Sequence, residues 1–446
     1  MGPQCAKPID KVGARLAWAR NVQKFRQIKM LNSQAIKEYA YSFGFDSVRI
    51  TGAEAFPAVE RVIKERIAQG LMDGLPWFTA ERADVSCYPD ALLPEAKSII
   101  SLAMSYLTEQ PGIQATETPR GRIARYAWGD DYHDIIKPRL QQFATWLREY
   151  ARDEMPDGVE TRLFVDTGRM VDRAVAQRAG LGWYGKNTNI LTKGWGSWIF
   201  LAEIVTNLPL AADQPIKTSC GSCEICLHAC PTGALPNPYE LDNTRCISFL
   251  TIELRGSIPL ELRPLMGNLI FGCDICQEVC PVNKLAEKRL GLRSSTDTQF
   301  ISSTMIRRRS TTSKTSTIEE PSFHPHEELR PRPGIGGSPE LIPLLALTEE
   351  EFRERFRRSP IKRTKRRGLL RNVCVALGNS GDPRAVSALI GALHDYEPLV
   401  RGHAAWALGR IGGKQALDAL HEALHTEEEA EVQKEIRCAL AMAATA

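Results

Sequence analysis

An α+β chain of several units is what this sequence predicts, on three observations. Residues 31–215 alternate helical and strand periodicities, the stretch after them concentrates eight of the twelve cysteines, and the C-terminal region repeats one helical pattern in register. The expected organisation is therefore a mixed α/β domain over 31–215, a small cysteine-rich domain over 216–288 and an all-α repeat domain within 341–446. With 446 residues and 43% hydrophobic content, the chain can bury more than one core. No run of eighteen apolar residues and no apolar N-terminal block with a cleavage site is present, so a cytoplasmic protein without a membrane span is expected.

Residues 1–30 carry Lys7, Lys11, Arg15, Arg20, Lys24, Arg26 and Lys29 against Asp10 and have no apolar face, which reads as a basic mobile extension. An organellar address would share the charge, but serine is scarce here. In the α/β domain, "SQAIKEYAYSFG", "FPAVERVIKERIAQG" and "DIIKPRLQQFATWLREYARD" have the spacing of amphipathic helices, and "SIISLAMSY", "TRLFVDT" and "SWIFLAEIVT" are β-rich runs. Residues 289–340 are rich in Ser, Thr, Pro, Gly and Arg and read as a low-complexity insertion or linker. The repeat is visible in "VCVALGNSGDPRAVSALIGAL" at 373–393 and "AAWALGRIGGKQALDALHEAL" at 404–424, with "IRCALAMAA" beginning a third copy. A helix pair of this kind buries its Ala/Leu face by stacking on its neighbour, as in a HEAT-type solenoid, and the recurrence of Leu377-Gly378 as Leu408-Gly409 argues against a plain bundle.

The cysteines carry the chemistry. In "SCGSCEICLHACPTGAL", Cys220, Cys223 and Cys226 sit three residues apart and Cys230 precedes a proline, the bacterial ferredoxin spacing for a [4Fe-4S] cluster. "CDICQEVCP" supplies Cys273, Cys276 and Cys280, the last three positions of the same pattern. In two-cluster ferredoxins the cysteine before the proline serves the other cluster, which pairs Cys220, Cys223 and Cys226 with Cys280, and Cys230 with Cys273 and Cys276. Cys246 in "NTRCISFLTIE" is the nearby candidate for the missing eighth ligand. Zinc sites would instead read as separated CxxC pairs. Cys5, Cys87, Cys374 and Cys438 lack such spacing and read as ordinary small side chains.

Clusters deliver electrons singly, so a second site must use them. "FVDTGRMVDRAVAQRAGLGWYGKNTNIL" places Asp166 where a strand gives way to a turn, followed by a helix ended by Gly180 and a loop rich in glycine and asparagine. Asp166 could serve this site or cap the helix, with Arg173 an exposed helix residue or its ion-pair partner. Tyr132 and His133 in "DYHDII" could likewise simply open a helix.

The order "RYAWGDDYHDIIKPRL", "VDTGRMVDRAVAQRAGLGWYGKNT", "CxxCxxCxxxCPTGAL", "RCISFLTIE", "FGCDICQEVCP" and "SPIKRTKRRGLLRNVCVALGN" resembles the epoxyqueuosine reductase family over about 31–445. The resemblance implies an N-terminal cobalamin-binding catalytic domain akin to that of reductive dehalogenases, a ferredoxin-like domain with two [4Fe-4S] clusters, and HEAT-like repeats. It implies reduction of the epoxide of epoxyqueuosine at the tRNA wobble position, with Asp166 as proton donor. Burial of that carboxyl beside an apolar corrin would favour its neutral form. It further implies a cobalamin pocket that includes Tyr132, His133, Asp166, Arg173, Asn187, Ser248 and Asp274, and a corrin without a lower histidine ligand, since Ile136 replaces the glycine of a DxHxxG signature. The family's partners would be tRNA and a low-potential donor such as ferredoxin or flavodoxin, acting on a monomer. Trp128 and Asp130 stand where relatives carry basic residues, "CYPD" lacks an arginine beside its proline, and Val282 replaces a tryptophan.

"FRERFRRSPIKRTKRRGLLR", Phe352 to Arg371, has ten Lys or Arg residues against Glu354 alone, and its two phenylalanines, the adjacent repeats and the tRNA substrate that the resemblance implies favour phosphate contacts over a plain solvated face. The expected tRNA-binding residues are Arg255, Lys362, Arg363, Lys365, Arg366 and Arg367. Two alternatives differ in kind. A dehalogenase-like reductase of a small molecule would have no use for the basic run and the repeats, and a non-catalytic ferredoxin-like adaptor would need no corrin.

Overall fold

The computed structural model describes residues 31–109, 118–292, 325–333 and 336–443. The basic extension over 1–30 and most of the expected insertion lie outside the described residues. No helix among those described is long and apolar enough to cross a membrane.

The N-terminal α/β domain is built on a four-stranded antiparallel sheet in the order β1 (Ser47–Gly52), β2 (Ser98–Ser105), β7 (Ile199–Thr206), β4 (Thr161–Val165). Every residue of β2 is buried, because helices cover both faces of the central strands. Even-numbered side chains such as Ile100, Leu102, Ala202 and Ile204 pack with α1 (Ser33–Ser42) and α4 (Tyr132–Tyr150). Odd-numbered ones such as Ile99, Ala103, Ile199 and Val205 pack beneath α2 (Pro57–Ala68) and α5 (Asp172–Arg178). The period of two that divides a strand's side chains thus sorts this domain into two cores. Gly180, at φ +75°, ends α5 where a Cβ would come within 2.1 Å of the Gln214 carbonyl oxygen. Beyond it, the short strands β5 (Trp183–Tyr184) and β6 (Ile190–Leu191) form a hairpin.

The cysteine-rich segment joins this domain through β3 (Arg122–Ile123), which pairs in parallel with β8 (Leu269–Phe271). It joins the repeats through a continuous core running from Ile123 and Trp128 through Phe249, Ile252 and Phe271 to the last helix. The repeats pair α11 (Lys365–Ser380) with α12 (Val386–Ala392) and α13 (Pro398–Ile411) with α14 (Lys414–Thr426), and α15 (Ala430–Ala443) starts the third copy. The Leu-Gly recurrence has a steric cause. A Cβ on Gly378 would come within 2.9 Å of Ala407 Cα, and one on Gly409 within 2.7 Å of the Ala439 carbonyl oxygen. Successive inner helices touch backbone to backbone at those two points.

Two expectations need correction. The C-terminal part of the expected linker is folded against the N-terminal α/β domain. Leu329 is buried in its core, His326 pairs with Asp46 at 2.9 Å and Glu328 with Arg139 at 2.9 Å, and Arg120 bridges Glu340 in β fashion. Composition hid this because a few anchoring contacts, not a continuous apolar run, hold the segment. The basic run, second, is not a uniformly exposed face. Phe352 and Phe356 are core residues, Arg371 is fully buried, and Arg366 is buried in a two-pronged pair with Asp395 at 2.5 and 3.2 Å.

Candidate functional site

Asp166 leaves the end of β4 at φ +50°, a left-handed conformation uncommon for a side chain other than glycine. It is exposed, and the Tyr132 hydroxyl donates to its Oδ2. The helix-cap alternative is thereby answered. Helix α5 begins six residues later, with Val171 at its N-cap and no side-chain cap bond. Tyr132 itself opens α4, its ring stacked between His133 and Phe200 at 4.2 Å each. Burial, then the charge of Asp166, push its phenol well above its usual range, so it stays a donor.

His133 is half-buried. Its Nδ1 pairs with Asp131 at 2.9 Å, while its Nε2 is buried without a partner. Asp131 is also the N-cap of α4, accepting from the His133 amide, and it pairs with Lys362 at 2.9 Å. Burial opposes ionisation there, but His133 and Lys362 hold the carboxyl below its usual range. Lys362 is one of the predicted tRNA contacts, so the basic run begins at the rim of this site. Arg363 pairs with Glu253 at 2.6 Å and lies 5.9 Å from the exposed Trp77 ring. Asp130, unexpected in its place, receives Arg358 and Arg332. Trp128 is a core residue whose indole N–H donates to the Ile123 carbonyl at 2.8 Å.

Arg173 is exposed on α5, and its charge is felt by Asp172, Tyr184 and Cys246. Asn187 is buried, donating to the Cys276 carbonyl at 3.3 Å and accepting from the Asn189 amide, so it ties the β5–β6 hairpin to the cysteine loop. Asp274 is buried too. Its Oδ2 accepts the Arg125 amide at 2.6 Å and its Oδ1 the Gln277 amide at 3.1 Å, and burial raises its carboxyl to about 6. Arg255 donates to the Arg363 carbonyl at 3.0 Å.

The eight clustered cysteines are all free thiols and fall into two neighbourhoods. Burial raises the Cys226 thiol, with Cys280, Cys220 and Cys223 as its neighbouring thiols. Burial likewise raises Cys273, with Cys246 and Cys230 beside it, and Cys276, with Cys273 and Cys246 nearest among the thiols. Several sulfurs sit at helix starts. Cys246 precedes α7 (Ile247–Ile252) and accepts from the Phe249 and Ser248 amides, and Cys280 precedes α9 (Pro281–Arg289) and accepts from Asn283 and Val282. Cys273 accepts from the Ile275 amide. Such N–H···S bonds favour the thiolate that binds iron. Among the described residues no three His, Cys, Asp or Glu side chains converge tightly enough to hold a single metal ion.

One buried group escaped the sequence reading. Glu203, in "SWIFLAEIVT", is the only charged residue of a fully apolar β-run, a signal that was there to be used, and it lies beneath Asp172.

Comparison with known proteins agrees with this layout. The family model described as "Epoxyqueuosine reductase QueG, DUF1730" matches residues 87–167, a 4Fe-4S double cluster binding domain matches 219–283, and HEAT repeats match 363–441. The epoxyqueuosine reductase of Bacillus subtilis is 37% identical over 404 residues, 90% of this chain and 92% of that protein. That of Escherichia coli is 35% identical over 383 residues, 85% and 89% of the two chains. A crystal structure of epoxyqueuosine reductase with a tRNA-Tyr epoxyqueuosine-modified tRNA stem loop superposes with a TM-score of 0.78 at 36% identity, covering 92% of this chain and 98% of that one. Likeness to a reductive dehalogenase is confined to a TM-score of 0.36 and carries no argument. With such identity along nearly its whole length, in the same order of domains, this chain belongs to the epoxyqueuosine reductase family.

Proposed function

We propose that this chain reduces the epoxide of epoxyqueuosine, carried in a tRNA anticodon, to the alkene of queuosine. The observation that carries the reading is Asp166, exposed in a left-handed turn at the end of β4 with Oδ2 fixed by Tyr132, in a chain that also carries a double-cluster iron–sulfur domain. Removing the epoxide oxygen as water takes two electrons and two protons. Because Tyr132 occupies Oδ2, Oδ1 is the oxygen that presents a proton to the epoxide.

One cluster takes Cys220, Cys223, Cys226 and Cys280, and the other Cys230, Cys246, Cys273 and Cys276. The two thiol neighbourhoods support that division, and an orphaned donor supports the fit. Trp183 packs against Cys280 and Cys220, and its buried indole N–H has no acceptor, which a cluster sulfide would supply. A cobalamin, when bound, supplies a cobalt centre that receives electrons singly and delivers them to the substrate. Its fit is supported by the buried, unpartnered Nε2 of His133 and the exposed guanidinium of Arg173, which remain to meet the polar rim of a corrin. Tyr132 and Ser248 complete the contacting set. Asn187, committed to backbone groups, and Asp274, committed to the Arg125 backbone amide and the Gln277 side chain, frame the pocket.

For tRNA, Lys362, Arg363 and Lys365 are exposed and Arg367 half-buried along the rim, positions suited to phosphates. Arg255 braces Arg363 through its carbonyl. The wobble nucleotide must leave its stack to reach Asp166. A ferredoxin or flavodoxin suits the donor role, because the clusters accept one electron at a time.

The test is anaerobic reconstitution, reduction of epoxyqueuosine-containing tRNA and mass analysis of the anticodon nucleoside. Loss of one oxygen is expected. An unchanged nucleoside from fully loaded enzyme would overturn the reading.

A further inference from the structure

Glu203 lies in the middle of β7, fully buried, directly opposite Ser101 of β2 and Phe164 of β4. It points to the face covered by α5, whose first residue is Asp172. The two carboxyl groups neighbour each other, and as ionised acceptors neither can offer the other a hydrogen bond. Neither oxygen of Glu203, nor Oδ1 of Asp172, nor the buried Oγ of Ser101 meets another partner. Two carboxylates repel, whereas two carboxyls that share one proton bind each other. A proton shared between them would give both a partner.

The surroundings favour keeping it. Burial raises both groups, and the charge of Asp166 adds to the effect at each, while Arg173 opposes it at Asp172. Tyr184 also neighbours Asp172, and Arg49 stands in the same cross-strand row on β1 with its guanidinium turned to the Val48 carbonyl. Asp166 is two residues beyond Phe164. The loop that follows Asp166 folds back over Phe164, since a Cβ on Gly168 would lie 2.5 Å from the Phe164 ring.

We infer that the Asp172–Glu203 pair stores the second proton of the reaction and returns it to Asp166 once Asp166 has given up its own. The inference rests on the reading of this chain as an epoxide reductase with Asp166 as donor. Both C–O bonds of the epoxide break, a C=C bond forms, and two electrons enter from the low-potential one-electron donor by way of the clusters. The oxygen leaves as water with one proton from Asp166 directly and one that reaches it from the pair. Bulk water is a poor second source while a tRNA anticodon covers the exposed face of Asp166. Glu203 and Asp172 act through Asp166 and touch no substrate.

Glu203→Gln and Asp172→Asn keep the volume but remove the exchangeable acid. Difference infrared spectroscopy on the intact wild-type protein should show a carboxylic-acid band that survives at neutral pH, disappears as the pH rises further, and is missing from both variants. In single-turnover reduction of epoxyqueuosine-tRNA with a strong chemical reductant, both variants should be slower by about tenfold or more. They should also lose the decline in rate that the wild type shows as the pair deprotonates, with iron content and tRNA affinity unchanged. Wild-type rates and an unaltered pH profile in the variants, or no such band in the wild type, would overturn the inference. Should Glu203→Gln fail to fold, Asp172→Asn, at a half-buried position, still decides. A loaded wild-type enzyme that leaves the nucleoside unchanged would instead remove the underlying reaction.

Discussion

Asp166 holds a backbone conformation that costs an L-residue roughly 1–2 kcal/mol, and aspartate tolerates it better than most. That cost has no structural return at a helix end, since α5 is uncapped by it, and it projects the carboxyl toward Tyr132 and solvent. Asp166→Asn should therefore fold like the parent and lower single-turnover reduction by about 10²-fold or more, because an amide cannot give up the proton. Near-normal queuosine formation would return the role to Tyr132 or His133. Tyr132→Phe tests orientation instead. The stack on Phe200 survives without the hydroxyl, so tRNA affinity should hold while turnover falls by about tenfold, as Oδ2 loses its fixed donor. The buried pair beneath makes a thermodynamic prediction. Burial beside Glu203 holds the folded-state pKa of Asp172 well above that of an unfolded aspartate, about 3.9. The stability this group contributes is complete below the lower value and is lost as pH rises through the higher one. Denaturant titrations should show wild-type stability declining across that window and Glu203→Gln declining less. Parallel curves would mean the pair has no raised titration.

At the scale of elements, the basic segment shows how much a sequence can and cannot say. Its charge density was legible, but the burial of each charge depends on how α11 is turned. Lys365 faces solvent, and the next residue, Arg366, faces Asp395 and the Leu347 carbonyl. Neutralising Lys362, Arg363 and Lys365 should weaken binding to all tRNAs and reduce the salt slope, with little change in thermal stability. Arg366→Gln should do the reverse, costing about 3 kcal/mol by stranding buried Asp395. Equal effects on melting temperature from both sets would refute this division. The cysteine spacing, the repeats, six helices and strands, and the position of Asp166 were readable because each is encoded within a short stretch. Glu203 was not assigned a role because its partner, Asp172, reaches it only once β7 and α5 are stacked. The anchoring of residues 325–340 was missed for the same reason, since Leu329, His326 and Glu328 act on α4 and β1 from far along the chain.

At the scale of the whole molecule, one core spans the cysteine-rich and repeat domains, and its junction is polar as well as apolar. Arg371 of α11 is fully buried and donates to the carbonyls of Leu250, Leu254 and Gly256, while Asn372 beside it donates to those of Thr251 and Ile270. These bonds close the C-terminal end of α7 and the strand β8, and α7 is the helix that begins at Cys246. The repeats are therefore a brace for one of the two thiol groups as well as a neighbour of the basic rim. Arg371→Leu would leave three carbonyls without their donor, each a loss of about 1–3 kcal/mol when buried. The expected consequence is local. Cys246 and its partners Cys230, Cys273 and Cys276 should lose their cluster, while Cys220, Cys223, Cys226 and Cys280, none of which lies on α7 or directly follows β8, should keep theirs. Iron and sulfide per chain should fall to about half, as they should for Cys246→Ser, which removes a ligand outright. The two variants part in the melt, because Arg371→Leu should also lower the unfolding temperature of the metal-free protein and Cys246→Ser should not. Full iron content in Arg371→Leu, together with a lowered melting temperature, would show that the junction supports the repeats without supporting the cluster.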